Sequence, residues 1–230
     1  YNITVLPMPG AMMTVRNYAM RKVDGYYGAD IAFHELATNS GRFKGFRDKV
    51  QREPVQSFWA YTLEMGLAIH ADARDDITEW RDLADSDVFT GPRPWDTRAH
   101  LKRVMSALDV GHDYVELDLG VVGSELERGN IDAFSVYTAG ESDVSPWIAE
   151  AELSTDIAVL NPSKEERKML REKGLDLVSV SPDVFETDVH VDEVIVSPFY
   201  YGLHLGTTFS KDEVYKILTT IEANTKELKA

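Results

Sequence analysis

Gly129-Asn130-Ile131-Asp132-Ala133-Phe134 follows an amphipathic helical pattern, and far upstream Gly28-Ala29-Asp30-Ile31-Ala32-Phe33 reads almost the same. In both stretches a helix ends at a glycine, and an Asp then opens a short apolar strand. A helix closed by Gly and followed by a strand buried on both faces is half of a βαβ unit. Two such halves predict two α/β lobes of related build, with a cleft between them where a small ligand binds.

A second decisive stretch lies between those two. Asp87-Val88-Phe89-Thr90 reads as a strand running into Gly91-Pro92-Arg93-Pro94-Trp95. A helix is predicted over 96–108, because Leu101, Val104, Met105 and Leu108 recur at i, i+3, i+4 and i+7. Asp96 or Thr97 is its expected N-cap. Strand, tight turn and helix start aim unpaired backbone N–H groups beyond the strand's carboxyl end, which suits a carboxylate or phosphate. Arg93 in the turn and Arg98 in the first helical turn oppose the helix dipole, so an anion between them would explain both. Arg98 as a solvated side chain, or paired with Asp96, is the plainer alternative.

The remaining chain alternates in the same way. Strands are expected at 3–6, 30–33, 55–61, 65–71, 113–117, 131–138 and 157–160, with extended segments across 189–205. Residues Thr62, Leu63 and Glu64 divide the third and fourth of these strands. Helices are expected at 10–23, 75–83, 121–128, 147–153, 163–173 and 210–228. Ser163 with Glu166, and Ser210 with Glu213, form capping boxes. Residues 39–53 read as a surface excursion without core. Alternating elements predict an α/β fold with largely parallel sheets. The expected division is 1–71 with 190–230 as lobe I and 72–189 as lobe II. Crossings near 67–72 and 188–196 would form a hinge.

Two segments carry a resemblance. Phe89-Thr90-Gly91-Pro92-Arg93-Pro94-Trp95-Asp96-Thr97-Arg98-Ala99 and Asn130-Ile131-Asp132-Ala133-Phe134-Ser135-Val136-Tyr137-Thr138-Ala139-Gly140 resemble the solute receptors of TRAP transporters of the TAXI family, which are type II periplasmic binding proteins. The resemblance implies a two-lobed periplasmic-binding-protein-like fold with the ligand cleft between lobes. It also implies a receptor that captures a small organic acid or amino acid in the periplasm or its equivalent and delivers it to the membrane subunits of a TRAP transporter. Relative to that family, the opening strand with its ligand loop would precede Tyr1, and Arg93-Pro94-Trp95-Asp96 replaces the usual Gly-Ser-Gly.

The expected ligand-binding residues follow from both lines. Arg93, Trp95, Thr97 and Arg98 come from the first turn, and Tyr137, Thr138, Ala139 and Gly140 from the second. Parallel strands would bring both turns to one sheet edge, where open α/β sheets bind ligands. Tyr137 is either core or cleft wall. His34, Glu35 and Trp59 are the expected contributions of lobe I, His34 with a capping or buried role as its alternative. Glu141 would hold an amino group or pair with Arg93, and Tyr200 and Tyr201 would pack the hinge or touch ligand.

Composition narrows the function classes. A net charge of −15 argues against nucleic acid or an anionic membrane as the main partner. With no cysteine there is no disulfide, thiolate nucleophile or Cys-ligated metal, which fits an oxidising compartment. No apolar run reaches membrane-spanning length, and the chain, opening directly in Tyr1-Asn2-Ile3-Thr4-Val5, reads as a processed product whose signal peptide has been removed. There is no Gly-x-Ser-x-Gly elbow, Walker loop or His-Glu-x-x-His, so no catalytic residue, cofactor or metal is expected. His70 with Asp72, His190 with Asp192, and the Asp72, Asp75, Asp76 cluster are read as ordinary surface polar groups. An enzyme or ligand-sensing domain on the same fold is the alternative function.

Overall fold

The computed structural model describes residues 4–8, 10–55 and 58–226. The chain divides into two compact units, residues 1–60 with 202–230 and residues 61–201. The expected boundaries at 71/72 and 189/190 both fall inside the second unit.

In the first unit, α1 (Gly10–Ala19) leads to strand β1 (Gly25–Ala29) and directly to α2 (Asp30–Ala37). The expected strand at 30–33 is therefore a helix. Ile31, Ala32, Glu35 and Leu36 are all buried at helical spacing, and the apolar period runs past Phe33, where a strand reading stops. The strand sits one segment earlier, in Gly25-Tyr26-Tyr27-Gly28-Ala29, whose two glycines weaken its β signal. The likeness between the 28–33 and 129–134 stretches is thus one of composition, not of structure. Residues 39–53 contain two 3-10 turns and contribute core: Phe43 and Phe46 pack with Val15, Tyr18, Ala19 and Leu36. Residues 4–6 form no strand, and Ile3 lies outside the described residues. The unit also holds the start of β2 (Phe58–His70), the end of β9 (Val194–Leu205) and α7 (Lys211–Ala223), whose Ser210–Glu213 capping box is formed. Gln56 and Ser57 of the expected 55–61 strand, and the end of the expected last helix at 228, lie outside the described residues.

The second unit is built on a sheet in the order β9-β2-β5-β3-β4, with β3 (Asp87–Phe89), β4 (Asp113–Tyr114) and β5 (Ala133–Ala139). Strand β2 is continuous through Thr62, Leu63 and Glu64, because Glu64 is buried yet fully hydrogen-bonded and so interrupts the apolar pattern without ending the strand. Helices α3 (Asp96–Ala107), α4 (Val122–Glu127), α5 (Pro146–Ser154) and α6 (Lys164–Glu172) fall close to their expected places. The α4 helix closes at Gly129, whose N–H reaches back to the Leu126 carbonyl at 3.0 Å, and β5 follows. The expected helix at 75–83 is reduced to a 3-10 turn, Trp80–Leu83. Asp82 Oδ2 accepts from the N–H groups of Thr78 and Glu79, a local alternative that competes with a regular helix.

The sheet is mixed rather than largely parallel. Strand β3 runs parallel to β4 and β5, with Val88 opposite Ala133 and Phe89 opposite Phe134. Strand β2 is antiparallel to β5 and to β7 (Ile157–Leu160), and β8 (Val178–Val180) is antiparallel to β9. Strand β5 returns as β6 (Asp143–Val144) across residues 140–142, a connection short enough only for an antiparallel pair. Phe89, Phe134, Trp147, Ile148 and Val196 lie at the centre of this unit's core. Among the described residues, no helix is long and apolar enough to cross a membrane.

Candidate functional site

The start of α3 collects buried polar groups that have no partner. Strand β3 ends in a buried Phe89 and Thr90, and Gly91 turns the chain at φ 100°, a conformation that favours glycine. Trp95 N–H donates to the Pro92 carbonyl at 3.0 Å, and the Trp95 carbonyl accepts from Ala99 N–H at 3.3 Å. That bond makes Trp95 the N-cap, with no side-chain cap, so neither Asp96 nor Thr97 takes the expected capping role. Asp96, the first helical residue, instead accepts at Oδ2 from the Tyr201 hydroxyl, 3.2 Å away.

Thr97 is 5% exposed and Ser135 is fully buried, and neither hydroxyl has a hydrogen-bond partner. A Cβ placed on Gly91 would lie 3.1 Å from Thr97 Oγ1 and 3.8 Å from both Arg98 N and Ser135 Oγ. Gly91 thus packs closely against two hydroxyls and the backbone nitrogen of a residue in the first helical turn. An N–H there has no intrahelical acceptor. One turn further along α3, His100 Nε2 lies 3.1 Å from Ser197 Oγ, and its ring packs on Phe199. Its Nδ1 is buried without a partner. Burial pushes the His100 imidazole down to about 3, so it is neutral at ordinary pH.

The two expected cations behave differently. Arg93 is largely exposed, and its Nε donates to Glu116 Oε2 at 2.8 Å. Arg98 is half-buried with its guanidinium 3.9 Å from the centre of the Tyr114 ring, and its Nε is buried without a partner. The Tyr114 hydroxyl lies 3.0 Å from the Gly91 carbonyl and 2.7 Å from Glu116 Oε2, donating toward both. Burial, reinforced by the bond to Glu116, pushes the Tyr114 phenol up to about 12, whereas that hydroxyl and Arg93 hold Glu116 below the usual carboxylate range. Burial, then the charge of Arg98, lowers the pKa of His112.

The second turn is organised from within. Thr138 Oγ1 donates to Glu64 Oε2 at 2.6 Å, and Glu141 N–H donates to the same oxygen at 3.0 Å. The Thr62 hydroxyl bonds to the other oxygen. Ala139 and Gly140 lead into the β5–β6 hairpin, where Gly140 and Glu141 both have positive φ. Tyr137 is half-buried against the core and its hydroxyl accepts from Trp147 Nε1 at 3.2 Å. Strands β3 and β5 are parallel, but β3 ends at the Phe89–Phe134 pair and β5 runs on to Ala139, so the Thr138–Gly140 turn lies beyond the turn that follows β3.

His34, Glu35 and Trp59 belong to the first unit. His34 is exposed on α2, Glu35 is buried and paired with Arg42 at 2.6 Å, and Trp59 packs edge-on to His204. The residues not anticipated are Ser135, Glu64, His100 and Tyr114. Ser135 left a sequence signal, a lone hydroxyl inside Ala133-Phe134-Ser135-Val136. Elsewhere in the second unit, a groove of about 250 Å³ at the start of β5 is lined by His70, Ile77, Leu126, Glu127, Ile131 and Asp132 among others. Both ring nitrogens of His70 are engaged there, by Glu127 and by the Asp72 N–H, and His190 faces Asp156 and Asp188 rather than Asp192. Among the described residues, no three His, Asp or Glu side chains group closely enough to hold a metal ion.

No protein-family model matches the chain, and no curated protein matches it either. Two solved structures illustrate its likenesses. One is an ABC transporter periplasmic binding protein from Brucella ovis with glutathione bound, at 12% identity and a TM-score of 0.36 over 56% of this chain. The match spans 41% of that protein's length. The other is the ATP phosphoribosyl transferase (HisG:HisZ) complex from Thermotoga maritima, at 10% identity and a TM-score of 0.43, covering 92% of this chain and 74% of that one. Likenesses this slight fix neither a fold family nor a function.

Proposed function

We propose that this chain is an extracytoplasmic solute receptor that binds a small organic anion at the start of α3 and serves a TRAP-type secondary transporter of the TAXI kind. The observation that carries the binding reading is the pair of buried, unpartnered hydroxyls, Thr97 and Ser135, which lie close beside the Gly91 turn together with the Arg98 backbone nitrogen. A buried polar group left without a partner costs about 1–3 kcal/mol, so two of them beside one turn are best explained by a ligand that supplies the acceptor. The helix dipole favours negative charge at the same place. The two segments resembling TAXI receptors include this turn and the strand that carries Ser135, which supports the transport role and the membrane subunits as partners.

A thermal-shift screen over dicarboxylates, keto acids, hydroxy acids and amino acids tests the reading, because a ligand that binds only the folded state raises the melting temperature by mass action. A receptor gains stability with at least one of them and returns it chemically unchanged. An enzyme consumes its ligand. A flat response to the whole set would contradict anion capture.

A further inference from the structure

We propose that Arg98, not Arg93, is the cation that selects the ligand. One oxygen of a ligand carboxylate sits between Gly91, Thr97 and Ser135, and the other accepts from Arg98 Nε; this rests on the reading that the start of α3 binds an organic anion. Both arginines flank the same turn, but only Arg98 holds a buried donor without a partner. Arg93 is 72% exposed, and its Nε already meets Glu116 at 2.8 Å. The Nε of Arg98 is shielded from solvent and has no acceptor. A desolvated cationic N–H is costly unless an anion completes it.

Tyr114 fixes this geometry. Its ring carries the Arg98 guanidinium at 3.9 Å, and its hydroxyl is bonded to the Gly91 carbonyl at 3.0 Å. One side chain thus holds both the cation and the Gly91 turn. A group held before the ligand arrives loses less freedom on binding.

The chemistry of the contacts sets the ligand class. The Arg98 backbone N–H and Nε–H donate only, and the Thr97 and Ser135 hydroxyls can both donate to the same ligand. Such a set completes an ionised carboxylate. A primary amide would turn its own NH2 toward donors and leave them unpaired, which binding sites reject strongly.

The test is isothermal titration of the wild type, Arg98→Gln and Arg93→Gln. The probe is the tightest binder among succinate, malate, 2-oxoglutarate and L-glutamate, alongside its primary amide. Arg98→Gln should weaken the carboxylate by about 10- to 150-fold, the range for a desolvated charged hydrogen bond. Arg93→Gln, which releases an exposed ion pair and a contact with the Tyr114 ring at 5.5 Å, should weaken it by less than about fivefold. The amide should bind at least about 100-fold more weakly than its acid. Arg98→Lys keeps the charge but not the Nε–H, and should recover little of the lost affinity. It decides the matter if Arg98→Gln does not fold. A larger loss from Arg93→Gln than from Arg98→Gln, or an amide as tight as the acid, overturns the assignment while anion binding stands. A wild type that binds none of the four acids overturns both.

Discussion

Thr138 Oγ1 donates to Glu64 Oε2 at 2.6 Å, directly across the β2–β5 ladder, where these two residues are register partners. The carboxylate also receives the Thr62 hydroxyl and the Glu141 N–H. It is fully buried and ties the β5–β6 hairpin to the neighbouring strand.

Replacing Glu64 should therefore be costly. Glu64→Ala leaves the Glu141 N–H and two hydroxyls without their acceptor, for about 3 kcal/mol of lost stability. At this chain length that lowers the melting temperature by roughly 6–12 °C. Calorimetry of the purified variant checks it, and a change under 2 °C would show that the carboxylate is dispensable.

The two capping boxes should differ in weight. Glu166 is fully buried and accepts from Ser163 N–H, Trp80 N–H and Arg81 N–H, so it caps α6 and the Trp80–Leu83 turn together. Glu213 serves α7 alone, at the surface. Glu166→Ala should cost about 3 kcal/mol in urea unfolding, well above the effect of Glu213→Ala. Equal effects would mean that Glu166 does nothing beyond its own helix.

Stability should fall as the solution is acidified below about pH 6.5. His100 has its pKa lowered from 6.5 to about 3 by burial. The folded state thus refuses a proton that the unfolded chain accepts. The contribution is complete above the unfolded value and is lost progressively as pH falls toward 3. His204, whose pKa is lowered first by burial, acts in the same direction. Urea unfolding at pH 7 and pH 5 should show the wild type losing more than His100→Gln, by up to about tenfold in the folding constant per pH unit. Identical pH slopes would place the acid sensitivity elsewhere.

Much of the second unit was legible because its signals are local. The helix at 96–107 and the Ser163–Glu166 capping box follow from spacing, and the strand at 157–160 from a four-residue apolar run. The first unit misled for the same reason. All but one residue of its strand are glycine or tyrosine, and its helix has, after Asp30, an apolar triplet that reads equally well as a strand. Strand direction was not legible, since the antiparallel β2–β5 pairing joins residues more than sixty positions apart. At the proposed site, the turn, Thr97 and Arg98 are among the residues expected from the sequence. That Arg93 is bonded to Glu116, and that Ser135 packs beside the same turn from another strand, depends on tertiary contacts that no spacing encodes.

The most direct measurement pairs stability with affinity in the double variant Thr97→Val, Ser135→Ala. Both hydroxyls are buried and unpartnered without ligand, so removing them should leave the ligand-free protein at least as stable, with a melting temperature raised by about 2–4 °C per kcal/mol recovered. Affinity for the carboxylate found in the thermal-shift screen should fall in the same variant by about 10-fold or more. Opposite signs in the two measurements are the expected signature of groups held ready for a ligand. A variant that loses stability without ligand and binds the carboxylate as tightly as the wild type would show that the two hydroxyls serve the fold, and that the start of α3 is not the anion site.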